Sequence, residues 1–281
     1  MRPKTGSDIW VMIMQIEHAL LLAAGEGARL MPLTKMWPKC LMPIGGQPLL
    51  SHWIEDLLKL NVKNILVNTC HHSDKVEEFL ARPSLYGKVS VASEKELLGT
   101  AGTIIANSEF FGDGPAMIIH ADNWCHCNLV EFCQSHQRHR EQGALISMMT
   151  FSTQTPKTCG IVELDDSGFV VSMHEKVDNP PGNLANAAVY IVEADVIAWI
   201  CRNPHLTDFS TEVLPHFMGQ IATWHNPEYH IDIGSVEMLL LARESAPEKK
   251  GVDDAWAQSF YKHEVHDLIK RLESDNGVSK Q

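Results

Sequence analysis

Short apolar runs of strand length alternate with segments of helical period through the first half of the chain. Residues 18–23, 64–68, 88–92, 116–120 and 144–150 read as strands, most of them with consecutive apolar residues rather than strict alternation, as strands buried on both faces have. Between them, residues 47–60 place Leu49, Leu50, Trp53, Ile54, Leu57 and Leu58 on one helical face. Residues 73–81, with Ser73 as N-cap, 100–107 and 129–141 read as further helices. This alternation predicts an α/β domain, a Rossmann-like mixed and mostly parallel sheet flanked by helices. The pattern changes near residue 155. Residues 160–164 and 169–173 flank Asp165-Asp166-Ser167-Gly168, a hairpin turn signal. A strand over 184–192, helices over 195–201 and 210–218, and short strands over 221–225 and 229–233 follow. Residues 253–272 carry Trp256, Phe260, Val265, Leu268, Ile269 and Leu272, the pattern of one amphipathic helix. The expected whole is one domain with a small β insertion on its substrate side and a C-terminal helix.

Charge narrows the partners. The 281 residues carry a net charge of −12, which opposes the phosphate-backbone attraction behind nucleic-acid binding. A small phosphorylated ligand needs only a few local cations and amides. No segment reaches the roughly 20 apolar residues of a membrane span. The seven cysteines are odd in number and irregularly spaced, which fits free thiols in a cytoplasmic protein better than a disulfide framework. Arg2 and Lys4 precede an apolar run over 9–16, but no small-residue cleavage site follows. Met14 is therefore a candidate start, with 1–13 as an extension.

The stretch Leu20-Leu21-Leu22-Ala23-Ala24-Gly25-Glu26-Gly27-Ala28-Arg29-Leu30 carries the most chemistry. A buried strand enters a loop of small residues, where backbone can approach phosphates and N–H groups can hold their charge. Arg29 adds a fixed cation with bidentate geometry. The loop is neither a dinucleotide GxGxxG, since Leu30 stands at the third glycine, nor a Walker A loop, since GK[ST] is absent.

Met31-Pro32-Leu33-Thr34 and Pro38-Lys39-Cys40-Leu41-Met42-Pro43 follow. Together with Ala23-Ala24-Gly25-x-Gly27-x-Arg29-Leu30, they resemble the sugar-1-phosphate nucleotidylyltransferase family. The resemblance extends over most of 17–245 and implies a catalytic domain at 14–247 and a helical tail at 248–281. One departure is Ala28, where the family usually has Thr.

The resemblance implies transfer of a nucleotidyl group from a nucleoside triphosphate to a sugar 1-phosphate, with Mg²⁺ and release of pyrophosphate. It assigns Arg29 and Lys39 to the triphosphate and the metal to Asp122 and Asp232. It places the nucleotide against Ala23, Ala24, Gly25, Gly27, Glu94, Gly99 and Thr100. Gly160, Glu175, Lys176 and Asn186 fall to the sugar phosphate. Catalysis would rest on Arg29, Lys39 and Asp122. The family usually has Gly before the first aspartate, where this chain has Ala121. It often has Gly where Ala188 stands.

Glu94 occupies a position where related thymidylyl and uridylyl enzymes commonly have Gln. A carboxylate only accepts hydrogen bonds, and guanine offers N1–H and N2–H₂ donors. GTP with a mannose- or heptose-type sugar phosphate is the favoured pair. The alternatives are a uridylyl- or thymidylyltransferase, a cytidylyltransferase for alcohol phosphates, or a silent nucleotide-sugar sensor. The C-terminal helix is a candidate for a homodimer contact or for packing on its own domain. Cys125-His126-Cys127 with His120 lacks usual zinc spacing, and His71, His72, His136 and His139 read as surface residues.

Overall fold

The computed structural model describes residues 15–249 and 255–276. The first half runs β1 (His18–Leu22), β2 (Pro43–Ile44), β3 (Gln47–Pro48), α1 (Leu49–Lys59), β4 (Asn64–Thr69), α2 (Ser73–Leu80), β5 (Val89–Ser93), α3 (Thr100–Ala106) and β6 (Ala116–His120). Then come β7 (Asn123–Cys125), α4 (Leu129–Arg140), β8 (Ile146–Ser152), β9 (Gly160–Leu164), β10 (Val170–Glu175), β11 (Leu184–Val192) and α5 (Ala194–Cys201). The chain closes with β12 (Ile221–His225), β13 (His230–Asp232), α6 (Val236–Ser245), α7 (Ala255–Lys262) and α8 (Glu264–Asp275).

The β1 sequence His-Ala-Leu-Leu-Leu is apolar on both faces because β1 lies mid-sheet, parallel to β4 on one side and β6 on the other. Strand β5 extends the parallel part beyond β4. On the other side β11 joins β6 antiparallel and also pairs with β8 and β9, and β10 closes the β9 hairpin. The expected mixed sheet and β insertion are therefore present. The carboxyl ends of β1, β4 and β6 share one edge, where sheets of this kind bind ligands.

Helix α1 buries Leu49, Leu50, Trp53, Ile54 and Leu57 against the sheet. Burying each such side chain contributes about 1.5–3 kcal/mol relative to exposing it. Trp53 also reaches across: its Nε1 donates to the Asn123 carbonyl at 3.0 Å and so fixes β7 beside the strand edge. Strand β7 pairs with β13 in a separate two-stranded sheet, Asn123 opposite Asp232.

Several expectations need correction. Helix α2 is led by His72 in the left-handed region (φ 52°), and Ser73 makes no capping bond; His72 Nε2 instead holds the Thr34 carbonyl at 2.9 Å. Residues 210–218 form a wide π turn over Phe209–Val213 and then a tight turn over Leu214–Phe217, with Pro215 inside it. His136 lies in the interior, its Nδ1 2.8 Å from Ser147 Oγ and its Nε2 3.1 Å from Glu193. The tail is two helices, broken at His263, whose Nδ1 accepts from Val265 N. Helix α6 was not expected; Ser235 caps it by accepting from Met238 N.

The tail packs on its own domain. Trp256 and Phe260 stack at 4.9 Å and lie against Trp37 and Phe79. Arg243 ties the domain to the tail, with Nη1 on the Pro43 carbonyl at 2.7 Å and Nε on Glu273 at 2.8 Å. The expected 1–13 extension lies outside the described residues. Among those described, no helix is long and apolar enough to cross a membrane.

Candidate active site

The small-residue loop leaves β1 and is held from below by a buried amide. Asn68, near the end of β4, accepts from Ala23 N at 2.7 Å. Its Nδ2 donates to Glu94 Oε1 at 2.9 Å, and Thr103 Oγ1 donates to the same oxygen at 2.6 Å. On the other flank, Thr34 Oγ1 donates to the Gly27 carbonyl at 3.0 Å, while Gly27 takes φ 65°. Among the described residues, no protein acceptor is found for the N–H groups of Ala24, Gly25, Glu26 and Gly27. Donors left in this way suit phosphate oxygens.

A cavity opens above the loop, bounded by Ala23, Ala24, Gly25, Glu94, Gly99 and Thr100. Gly99 is required where it stands. Its φ is 77°, and a Cβ there would lie 2.3 Å from the Thr207 carbonyl. Thr100 caps the same junction, its Oγ1 accepting from Phe209 N at 2.7 Å. Glu94 Oε1 is thus occupied from inside, while Oε2, among the described residues, meets only Leu98 N at 3.3 Å.

The ionic centre sits at the carboxyl end of β6. Lys39 Nζ lies 2.7 Å from Asp122 Oδ2 and 2.7 Å from Asp232 Oδ1. Arg29 Nη2 reaches Asp232 Oδ2 at 3.1 Å. The Lys39 side chain is 7% exposed, whereas Asp122 and Asp232 keep 36% and 46%. Burial alone would lower the Lys39 pKa, but the two carboxylates outweigh it and the ammonium titrates above its usual value. Burial likewise works to raise Asp122, and the Lys39 charge prevails and holds it low. Both partners are therefore charged at neutral pH. Gly234 allows the Arg29 contact: a Cβ there would stand 2.8 Å from Arg29 Nη2 and 2.9 Å from Asp232 Oδ2.

A second cleft shares His120 and Asp122 with the first and runs toward the β insertion. Gly160, Glu175, Lys176 and Asn186 all line it, as do Asp208 and His230. Gly160 pairs with Glu175 across the β9–β10 hairpin. Lys176 Nζ lies 3.0 Å from Glu175 Oε1 and its side chain is 61% exposed, free to swing to a ligand. Asn186 is committed inside the protein: Nδ2 donates to Tyr190 Oη at 2.6 Å and Oδ1 accepts from Ala188 N at 2.9 Å. Burial pushes the His230 imidazole down to about 4, against the opposing pull of the Ala187 carbonyl.

Of the residues assigned from the sequence, all but Gly27 line one of two adjoining clefts or the charged centre between them; Gly27 packs behind, against Thr34 and Lys39. Asn68, Thr103, Asp208, His230 and Gly234 were not anticipated. The assigned Asp232, two residues before Gly234 and two after His230, was the available signal for those two. Among the described residues, no three His, Cys, Asp or Glu side chains are grouped to hold an ion.

Residues 18–249 match the family described as nucleotidyl transferase. The mannose-1-phosphate guanylyltransferase catalytic subunit beta of Danio rerio is 29% identical over 246 residues, which is 82% of this chain and 67% of that protein. The mannose-1-phosphate guanylyltransferase of Mycobacterium tuberculosis is 26% identical over 256 residues, 89% of this chain and 70% of its own length. A low-salt glycan biosynthesis nucleotidyltransferase of Haloferax volcanii is 30% identical over 204 residues, 72% of this chain and 54% of that protein. The chain thus spans between about half and seven tenths of these relatives' lengths. Among solved structures, a Bacillus anthracis protein described as a glucose-1-phosphate thymidylyltransferase superposes with a TM-score of 0.72 at 20% identity. That superposition covers 86% of this chain and 98% of the other, and it establishes the shared fold.

Proposed function

The chain belongs to the nucleotidyl transferase family, and from that premise we propose that it makes an activated sugar from a nucleoside triphosphate and a sugar 1-phosphate. The observation that carries the reading is Lys39, buried between Asp122 and Asp232 where the two clefts meet. In the reaction, an oxygen of the sugar phosphate attacks the α-phosphorus. A new P–O bond forms there, the bond to the β-phosphate oxygen breaks, and pyrophosphate leaves with the bonding electrons.

Such transfers need charge neutralisation and in-line placement more than covalent help. The loop amides of 24–27 and Arg29 hold the departing phosphates. Lys39 faces the α-phosphate, where charge crowds as the two groups come together. Lys176 reaches the sugar phosphate, while Glu175 and Asp208 accept from sugar hydroxyls. No general base is assigned, since a phosphate monoester is largely dianionic at neutral pH.

The donor set also fits Mg²⁺. That ion takes oxygen ligands, few of them from protein, and shares itself with phosphates. Asp122 and Asp232 already approach a common cation, the Lys39 ammonium, from two sides. When bound, the ion would neutralise phosphate charge and favour attack at phosphorus.

GTP is the proposed donor. Glu94 Oε2 is the less occupied oxygen of a carboxylate whose other oxygen takes two internal hydrogen bonds. It can accept from the N–H edge of guanine, whereas uracil and thymine present carbonyl oxygens on either side of one N–H. The names of two relatives, mannose-1-phosphate guanylyltransferases, support the same nucleotide and add mannose 1-phosphate as the first sugar to try. The unpaired cysteines support a cytoplasmic setting. Competition between nucleotides tests the donor. With mannose 1-phosphate as acceptor, GTP is expected to exceed UTP and dTTP in kcat/KM by at least about tenfold, the worth of one good hydrogen-bonded edge. Better use of UTP or dTTP would refute the assignment of Glu94.

A further inference from the structure

His230 begins β13, two residues before Asp232, and its ring stacks on Phe151 with centroids 4.2 Å apart and planes 28° apart. Its Nε2 lies 2.9 Å from the Ala187 carbonyl. A carbonyl only accepts, so Nε2 carries the proton, and in the neutral ring Nδ1 keeps its lone pair. That carbonyl is available because β11 bulges. The pairing of β11 with β8 shifts between Asn186 and Tyr190, Ala188 takes φ 54°, and the Asn186 amide holds the kink. The bulge thus sets the tautomer of a ring at the edge of the acceptor-side cleft.

Nδ1 is buried and has no hydrogen-bond partner among the described residues. Buried acceptors are normally paired, and an orphan on a residue that lines a binding cleft points to a donor supplied from outside the protein. The residue itself lines the cleft that holds Glu175, Lys176 and Asp208. A phosphate dianion offers only lone pairs and would be repelled at this spot. A sugar hydroxyl offers an O–H.

We propose that His230 Nδ1 is a specificity-determining acceptor that takes a hydrogen bond from one hydroxyl of the sugar 1-phosphate. The inference rests on reading this cleft as the sugar side. It makes the ring a positioning device with two ends: Nε2 reads the β11 bulge, and Nδ1 reads the substrate. A pyranose lacking a donor at the matching carbon is bound poorly, whatever its other substituents.

Deoxyfluoro sugars test this, because fluorine cannot donate. The probes are the sugar 1-phosphate that gives turnover, mannose 1-phosphate first, and its four singly fluorinated forms at C2, C3, C4 and C6. In the unaltered enzyme one position is expected to raise the sugar KM by about ten- to a hundredfold. His230→Gln keeps an N–H within reach of the Ala187 carbonyl but has no acceptor at Nδ1. It is expected to raise the parent sugar's KM by a similar factor, to leave the GTP KM and Tm near their original values, and to become indifferent to fluorine at that one position.

His230→Phe keeps the ring on Phe151 and serves as the second variant should the glutamine disturb folding; the same sugar-only change is expected. A parent sugar KM unchanged in both variants, or a fluorine penalty that survives in both, overturns the inference and leaves the lone pair to water. An unaltered enzyme indifferent to all four fluorosugars overturns it as well. Turnover with no sugar 1-phosphate at all overturns the sugar-side reading, and this inference with it, whereas turnover with unaffected variants sinks this inference alone.

Discussion

Replacing Lys39 with Met is expected to lower turnover by on the order of 10³-fold, with little change in Tm. The size follows from what one preorganised cation contributes to a charged transition state, about 10²–10³ in rate. Here the loss sits at the upper end, because the substitution also leaves Asp122 and Asp232 facing each other without the charge that separates them. Stability moves less, for two reasons. The burial cost of the ammonium disappears with it, and both carboxylates remain more than one-third exposed, so water screens their repulsion. Steady-state kinetics beside a thermal melt separates the two effects. A variant that melts normally yet retains more than a tenth of the rate would remove Lys39 from the chemistry.

Phe260→Ala is expected to have the opposite profile, a loss of about 3–5 kcal/mol in stability with an intact site where the protein remains folded. Phe260 is 1% exposed and lies between Trp37, Trp256 and His266. Truncating it opens a cavity in the main core rather than in a detached tail. Trp37 follows the phosphate loop by only a few residues and donates from Nε1 to the Leu41 carbonyl, beside Lys39. Denaturant unfolding measures the effect; a midpoint within experimental error of the unaltered protein would show that the tail helices are dispensable decoration.

The readable part of the site is the part that is local in the chain. Arg29 and Lys39 stand in one stretch of small residues and prolines, and Asp122 ends an apolar strand, so each announces itself by its neighbours. Asn68 does not. It is one polar residue in a buried strand, and its purpose comes from Ala23, 45 positions earlier. His230 is similarly opaque, since its partner carbonyl belongs to a bulge that no hydrophobic period encodes.

Glu94 was anticipated as a nucleotide contact, but its internal ties to Asn68 and Thr103 come from other elements and could not be seen. The fold divides along the same line. Strands 116–120 and 184–192 fall where their apolar runs place them. The tail was read as one helix because Trp256 and Phe260, and again Val265 and Ile269, stand four residues apart; the five-residue step from Phe260 to Val265 puts the two pairs out of phase and marks the break at His263. His136 was assigned to the surface because a histidine on a charged helix carries no sign of the Ser147 and Glu193 that receive it from distant segments.

The central claim is nucleotidyl transfer at the Lys39–Asp122–Asp232 centre, and pyrophosphate release tests it most directly. The full chain would be supplied with Mg²⁺ and each of GTP, UTP, dTTP, CTP and ATP, against mannose, glucose, heptose and amino-sugar 1-phosphates. The expected result is release that requires both substrates, is strongest for GTP with mannose 1-phosphate, and stops when the divalent ion is chelated. Release from no pair, with the protein folded and the ion present, would contradict the assignment of this centre to catalysis.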